Sequence, residues 1–92
     1  MKNSIGELIE KNLDVHHIHI EDLTKQHINH KNYDGGGHYK IIIVSDEFIK
    51  FSLLKRHKMI YNILNKMIKK EIHALSLKTL TIKEYKIKEE AR

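Results

Sequence analysis

Residues 38–45 have the sequence HYKIIIVS, and the rest of the chain is best understood as an arrangement around this run. Its apolar residues occupy both odd and even positions and are mostly β-branched. Such a run is typical of a strand that is covered on both faces. We therefore predict a central strand, which needs a neighbouring strand on each side.

The sequence before this strand predicts a helix, a strand and a loop. Apolar residues at helical spacing indicate an amphipathic helix over residues 3–13. Isoleucines alternate with histidines in residues 15–23, and this period of two predicts a strand. Residues 24–37 lack an apolar period and end in three glycines, which is typical of a loop. A loop connection makes the first two strands antiparallel.

The sequence after the central strand predicts a helix, a third strand and a last helix. A connection at residues 46–51 leads into a helix over 52–69, a strand over 71–79 and a helix over 82–90. A helical crossover makes the second and third strands parallel. The order α-β-β-α-β-α predicts a single α+β domain over residues 1–92. We expect a three-stranded mixed sheet with helices packed on one face. This topology is like the type II KH arrangement, but the GxxG loop of that arrangement is absent.

The composition excludes several function classes. The 92 residues include eight histidines and no cysteine, so the chain by itself forms no disulfide scaffold, thiolate zinc finger or cysteine nucleophile. It also lacks a phosphate loop, a nucleophile elbow and an HExxH motif, so we predict that it is not an enzyme. No apolar run approaches the ~20 residues that span a bilayer, and Glu7 and Glu10 interrupt the N-terminal segment. We expect a cytoplasmic protein that does not bind membranes.

Three segments carry a more specific signal. They are HYKIIIVSDEF at 38–48, LLKRHKMIY at 53–61 and IHALSLKTLTIKEY at 72–85. In order and spacing they resemble the BolA family from about residue 5 to residue 86. Three positions depart from the usual family pattern, which has glycine, proline and tryptophan where this chain has Lys50, Ile82 and Tyr85.

The resemblance implies a site made of two histidines. It assigns His73, at the opening of the third strand, as one ligand of an iron–sulfur cluster. The segment HINH at 27–30 resembles a loop motif of the family and offers the other ligand, which we place at His30 with His27 as the alternative. Without the resemblance, His73 beside Leu75 and Leu77 would be interpreted as a partly buried histidine bonded to backbone.

The partner and cofactor also follow from the resemblance. Two histidines supply half of the four ligands of a [2Fe–2S] cluster, and Rieske centres show that histidine and thiolate ligands can be mixed. The resemblance implies that a monothiol glutaredoxin and its bound glutathione supply the two thiolates. We therefore expect a shared cluster, none held tightly by the isolated chain, and a role in iron–sulfur trafficking or iron regulation. We interpret His38 as a structural residue that orients a ligand or bonds a carbonyl.

A DNA-binding transcriptional regulator is the alternative function. The formal net charge is +5, and the basic segment of Lys55, Arg56, His57 and Lys58 would contact phosphates. No base-reading motif is visible in the sequence. The sequence leaves open whether the chain is a monomer or a weak dimer.

Overall fold

The computed structural model describes residues 2–24, 37–68 and 70–90. The elements in chain order are helix α1 (Lys2–Asn12), strand β1 (His17–Asp22), strand β2 (Gly37–Val44), a 3₁₀ turn (Asp46–Phe48), helix α2 (Leu53–Ile63), strand β3 (Ile72–Leu80) and helix α3 (Ile82–Glu90). The predicted order of helices and strands is confirmed. Among the described residues, no helix combines the length and the apolar character needed to traverse a bilayer.

The sheet has the order β1-β2-β3, so the HYKIIIVS run is the central strand as predicted. Strands β1 and β2 are antiparallel, with Ile20 opposite Ile41. Strands β2 and β3 are parallel, with Ile41 opposite Leu77. The antiparallel and the parallel pairing expected from the sequence are therefore both confirmed.

One face of the sheet carries the main hydrophobic core. Helices α1 and α2 pack on this face because each presents an apolar stripe to it. Fully buried members of the core come from both helices, the central strand, the 3₁₀ turn and the residue after α2: Ile5, Ile9, Ile41, Ile43, Phe48, Ile60 and Leu64. Burial of these side chains is the dominant favourable term for folding a chain of this size.

The last helix covers one end of the opposite face. Val44 is 0% exposed to solvent, but it does not belong to the main core cluster. It lies between His17 on β1 and Leu80 on β3. The His17 ring stacks on Tyr85 of α3, with centroids 5.3 Å apart. Helices α1 and α2 thus pack on one face of the sheet, as expected. Helix α3 covers part of the opposite face, at the end that carries Val44.

Helix α2 ends earlier than the sequence pattern predicts. The predicted range was 52–69, but the helix ends at Ile63, and Leu64 has left the helical conformation with φ −94° and ψ 10°. Asparagine on either side of this point, at 62 and 65, lowers helix propensity because its side chain competes for backbone bonds. The Met67 carbonyl then accepts the N–H of Ile72 at 2.9 Å, which turns the chain into β3.

Candidate functional site

His73 lies in an irregular step at the start of β3. Gly37 of β2 is opposite Ile72, whereas the next residue of β2, His38, is opposite Ala74. Moving one residue along β2 therefore corresponds to moving two residues along β3. The additional residue of β3 is His73, which forms a β-bulge. Bulges re-aim side chains and are common beside functional sites.

The bulge places His73 on the open side of the sheet. Ile72 is 1% exposed and Leu75 packs against the core, so both face α1 and α2, while His73 between them is exposed. In a regular strand His73 would share a face with Leu75, as simple alternation predicts. The interpretation of His73 as a partly buried residue is therefore wrong, because the irregular step turns its imidazole outward.

His38 is the nearest imidazole to His73 among the described residues. The two ring centroids are 5.1 Å apart, and the rings are tilted by 47°. The contact arises because β2 and β3 are parallel, so that residues near the start of each strand meet at the same sheet end. His38 is half-buried. The interpretation of His38 as a residue that orients a ligand stays a prediction.

The backbone N–H and carbonyl of His38 are both bonded by the two residues that follow β1. Its N–H donates to Thr24 Oγ1 at 3.1 Å, and its carbonyl accepts the N–H of Leu23 at 2.7 Å. Asp22 Oδ1 in turn accepts from Thr24 Oγ1 at 2.5 Å and from the Thr24 N–H at 3.0 Å. These Thr24 bonds lower the pKa of Asp22, because they stabilise its carboxylate. The strand end beside the histidine pair is therefore well fixed.

Gly37 is fitted tightly between a strand and a ring. Its N–H donates to the Glu71 carbonyl at 3.0 Å. A Cβ at this position would lie 2.4 Å from Cε2 of Tyr39, which is too close for any side chain. The Tyr39 ring is buried on the core side, and this burial raises the pKa of its hydroxyl. The close approach of the Tyr39 ring to the Gly37 backbone therefore favours glycine at this position, which is the first residue of the central strand.

The predicted loop ligands, His27 and His30, lie outside the described residues. The ends of their loop are nevertheless located by the structure, since Thr24 bonds to the His38 backbone and Gly37 precedes His38. The described residues on either side of positions 25–36, Thr24 and Gly37, lie at the sheet end that carries His73.

The described residues hold part of a ligand set, not a complete one. No group of three or more histidine, aspartate or glutamate side chains within residues 2–24, 37–68 and 70–90 is arranged to hold a metal ion. A closed four-coordinate site needs more ligands than His73 and His38 can offer. An exposed imidazole at a fixed strand end does fit a cluster whose other ligands come from elsewhere. The donor set is therefore compatible with a shared iron–sulfur centre.

Arg56 departs from its predicted role as a phosphate contact. It is 6% exposed, and its guanidinium points inward. Nε donates to the carbonyls of Phe48 and Phe51, and Nη1 donates to the Thr79 carbonyl at 3.1 Å and to Glu84 Oε1 at 2.8 Å. A guanidinium with these partners is already neutralised and desolvated, so Arg56 must be removed from the candidate nucleic-acid residues.

The other members of the basic segment remain on the surface. Lys55 and Lys58 are exposed, and His57 is half-buried. Between Glu47 and Glu71 the sequence contains no acidic residue. Helix α2 and its flanks therefore present positive charge without neighbouring negative charge from their own segment.

Comparisons with known proteins agree with this architecture. Residues 9–84 match the family described as BolA-like protein. The chain is 42% identical over 81 residues to Uncharacterized protein BU473 of Buchnera aphidicola subsp. Acyrthosiphon pisum, which covers 88% of this chain and 75% of that one. It is 35% identical over 86 residues to the DNA-binding transcriptional regulator BolA of Haemophilus influenzae, covering 94% and 82%. The solved BolA domain of SufE1 from Arabidopsis thaliana matches with a TM-score of 0.80 at 41% identity, covering 90% and 93%.

The fold and the site define a small α+β domain with two neighbouring imidazoles at one end of a mixed sheet. The chain belongs to the BolA family. The expected fold and the resemblance noted in the sequence are both confirmed.

Two features of this end of the sheet were not predicted from the sequence. One is the bulge at His73, and the other is the contact between the His73 and His38 rings. The contact could have been inferred from the parallel pairing, because both histidines stand at the start of their strands. The bulge has no evident signal in the sequence.

Proposed function

We propose that the protein shares a [2Fe–2S] cluster with a monothiol glutaredoxin, using His73 and one histidine of the loop at residues 25–36 as its ligands. The single observation that carries the proposal is the exposed His73 imidazole, held by a bulge at the sheet end where that loop is anchored. Membership of the BolA family supports it, because the resemblance implies this partner and this cofactor.

The division of ligands follows from the composition of the chain. The cluster needs four ligands, and thiolates are its usual ones. This chain has no cysteine, so its histidines are the residues best suited to ligate the cluster. The glutaredoxin thiolate and a glutathione thiolate would complete the set. A bridging cluster of this kind would supply both the attachment between the two proteins and a cargo or signal that depends on iron.

Within the chain, each residue around His73 has a separate task. The bulge keeps the ring on the open side of the sheet, and His38 lies against it. The His38 N–H donates to Thr24 Oγ1 and the His38 carbonyl accepts from the Leu23 N–H, and these two bonds fix the strand end. A ligand held on a rigid strand end and a second ligand on a loop allow a cluster to be accepted from a partner and released again.

The test is reconstitution of the mixed complex. The chain is combined anaerobically with a monothiol glutaredoxin, glutathione, iron and sulfide, and the visible absorption and circular dichroism spectra are compared with those of glutaredoxin alone. We expect a changed spectrum with the native chain and the unchanged glutaredoxin spectrum with His73→Ala. His19→Ala is the matched control, because His19 is an exposed histidine of β1, on the edge strand that is not bonded to β3. An identical spectrum for the native chain and His73→Ala would refute the ligand assignment.

The same experiment separates the two loop histidines. We expect His30→Ala to abolish the spectral change and His27→Ala to leave it in place. The reverse pattern would move the loop ligand to His27 and keep the proposal. If the double variant still gave the native spectrum, no loop histidine would be a ligand, and the proposal would fail.

DNA binding is the second candidate function, and a relative's name favours it. The Haemophilus influenzae relative is called a DNA-binding transcriptional regulator. In this chain the residues that could contact phosphates are Lys55 and Lys58, together with the exposed lysines at 66 and 70. A titration of duplex DNA at about 50 mM and about 200 mM salt tests this function, since phosphate contacts weaken steeply with salt. Absence of binding at both concentrations would exclude it.

A further inference from the structure

A shallow groove runs along the outer face of helix α2, away from the histidine site. It has a volume of about 420 Å³ and is lined by Phe51, Lys55, Lys58, Met59 and Asn62. Lys55, Lys58, Met59 and Asn62 occupy positions i, i+3, i+4 and i+7, so they lie on one helix face. Phe51, two residues before the helix, is 39% exposed, and Met59 is half-buried. The groove therefore combines an apolar floor with a rim of positive charge.

The two rim lysines have no acidic partner in the part of the chain that the structure describes. The ion pairs found there are His19 with Glu21 and Arg56 with Glu84. Arg56 faces the interior, so its charge does not contribute to the groove. Lys55 and Lys58 are exposed, and no acidic residue occurs between Glu47 and Glu71. An uncompensated pair of cations beside apolar surface selects a ligand that is negatively charged and apolar at once.

We propose that this groove docks an acidic amphipathic segment of a partner protein, with an apolar side chain between Phe51 and Met59 and carboxylates on Lys55 and Lys58. The proposal goes beyond the cluster function and does not depend on it. An amphipathic helix laid along a groove uses anchors spaced by three and four residues, which is the spacing of the groove itself.

Other occupants fit the groove less well. A second copy of this chain carries a net charge of +5 and would be repelled. A nucleic-acid backbone would use the lysines but gains nothing from the apolar side chains of Phe51 and Met59. A larger groove, between the 3₁₀ turn and α3, is lined by both acidic and basic side chains, so its charge does not select a ligand.

The proposal is tested by titrating a peptide into the chain and monitoring the amide chemical shifts of the chain. The probe is a synthetic 16-residue peptide, blocked at both ends, with leucines at i, i+3, i+4 and i+7 and glutamates between them. We expect shifts concentrated in residues 50–62 of the full ¹⁵N-labelled chain. A peptide with lysine in place of glutamate, and one with serine in place of leucine, should each bind at least tenfold more weakly, because each removes one half of the complementarity.

Matched variants separate the groove from the overall charge. Lys55→Glu with Lys58→Glu should weaken binding of the acidic peptide at least tenfold. Lys66→Glu with Lys70→Glu makes the same change in net charge outside the groove, and should change affinity less than threefold. Phe51→Ser should weaken binding, whereas Leu53→Ser should not, since Leu53 is more exposed but does not line the groove. Thermal unfolding of each variant confirms that it is folded.

Several results would overturn the proposal. One is the absence of shifts at millimolar peptide, and another is an equal loss of affinity in the two double-lysine variants. The same titration is repeated with vesicles of phosphatidylcholine and phosphatidylglycerol, and with duplex DNA. If either one perturbs residues 50–62 and the acidic peptide does not, the groove serves a membrane or a nucleic acid instead.

Discussion

Arg56 Nη1 lies 2.8 Å from Glu84 Oε1, and this bond joins helix α2 to the first turn of helix α3. The Glu84 carboxylate also accepts the N–H of Thr81 at 2.8 Å, while Thr81 Oγ1 accepts the N–H of Glu84 at 3.2 Å. The reciprocal pair is a capping box, which satisfies two backbone donors at the start of a helix. The position of α3 over the sheet thus depends on an arginine that sequence inspection assigns to the surface.

We expect Arg56→Met to destabilise the fold by about 2–4 kcal/mol, because it leaves buried carbonyls without a donor and Glu84 without its partner. The carbonyls concerned are those of Phe51, which is part-buried, and Thr79, while the Phe48 carbonyl keeps the Phe51 N–H as a second donor. Urea unfolding followed by far-ultraviolet circular dichroism measures the loss. Lys55→Met is the control on the same helix and should change stability by less than about 0.5 kcal/mol. Equal effects of the two substitutions would show that the Arg56 contacts do not stabilise the fold.

The same contacts predict an acid dependence of stability. Hydrogen bonds to its carboxylate, mainly from the Arg56 side chain and secondly from the Thr81 N–H, hold the pKa of Glu84 below its ordinary value of 4.5. A carboxyl group whose pKa is lower in the folded state stabilises the fold above its unfolded-state pKa, and that contribution is lost as the pH falls through the folded-state pKa. We therefore expect Glu84→Gln to cost about 1 kcal/mol at pH 7 and progressively less towards pH 3.

Urea unfolding of the native chain and Glu84→Gln between pH 7 and pH 3 measures this difference. The lowered pKa of Asp22 contributes to both proteins and cancels in the comparison. Glu89→Gln, which removes a carboxylate from the exposed end of α3, is the matched control variant. A constant difference between the native chain and Glu84→Gln would contradict the assignment.

Gly37→Ala tests the packing that sets the start of β2. The added Cβ would meet the buried Tyr39 ring, so we expect a loss of about 1–3 kcal/mol from overpacking. Gly6→Ala is a contrasting change inside α1, where the new Cβ would lie 3.4 Å from Ile20 Cδ1. It should be neutral or stabilise by up to about 1 kcal/mol, because alanine has the higher helix propensity. Thermal unfolding of both variants tests whether they rank in this order.

The sequence predicted the fold better than the details of the site. Periodicity identified the helices and strands, since it follows directly from which face of each element is buried. It could not predict the irregular step at His73, because a bulge depends on how two distant strands fit together. It also could not predict that Arg56 turns inward, because two of its partners, Thr79 and Glu84, come from segments far away in the chain. The positions of His27 and His30 lie outside the described residues.

His38→Ala tests whether His38 positions His73. The two rings are in contact, so we expect the variant to form the mixed complex with glutaredoxin but to give a spectrum that differs from the native one. We also expect the complex to lose its cluster several-fold faster on exposure to a chelator. Loss of the complex as complete as in His73→Ala would instead make His38 a ligand. A spectrum and a rate like those of the native complex would show that the contact has no role in cluster binding.

The most direct measurement is pulsed electron paramagnetic resonance of the reduced mixed complex, with ¹⁵N-histidine only in this chain and an unlabelled glutaredoxin. We predict ¹⁵N hyperfine couplings from directly bound imidazole, which His73→Ala reduces or removes and His19→Ala leaves unchanged. A cluster spectrum without any ¹⁵N coupling would mean that thiolates alone hold the cluster, and would contradict the proposed function.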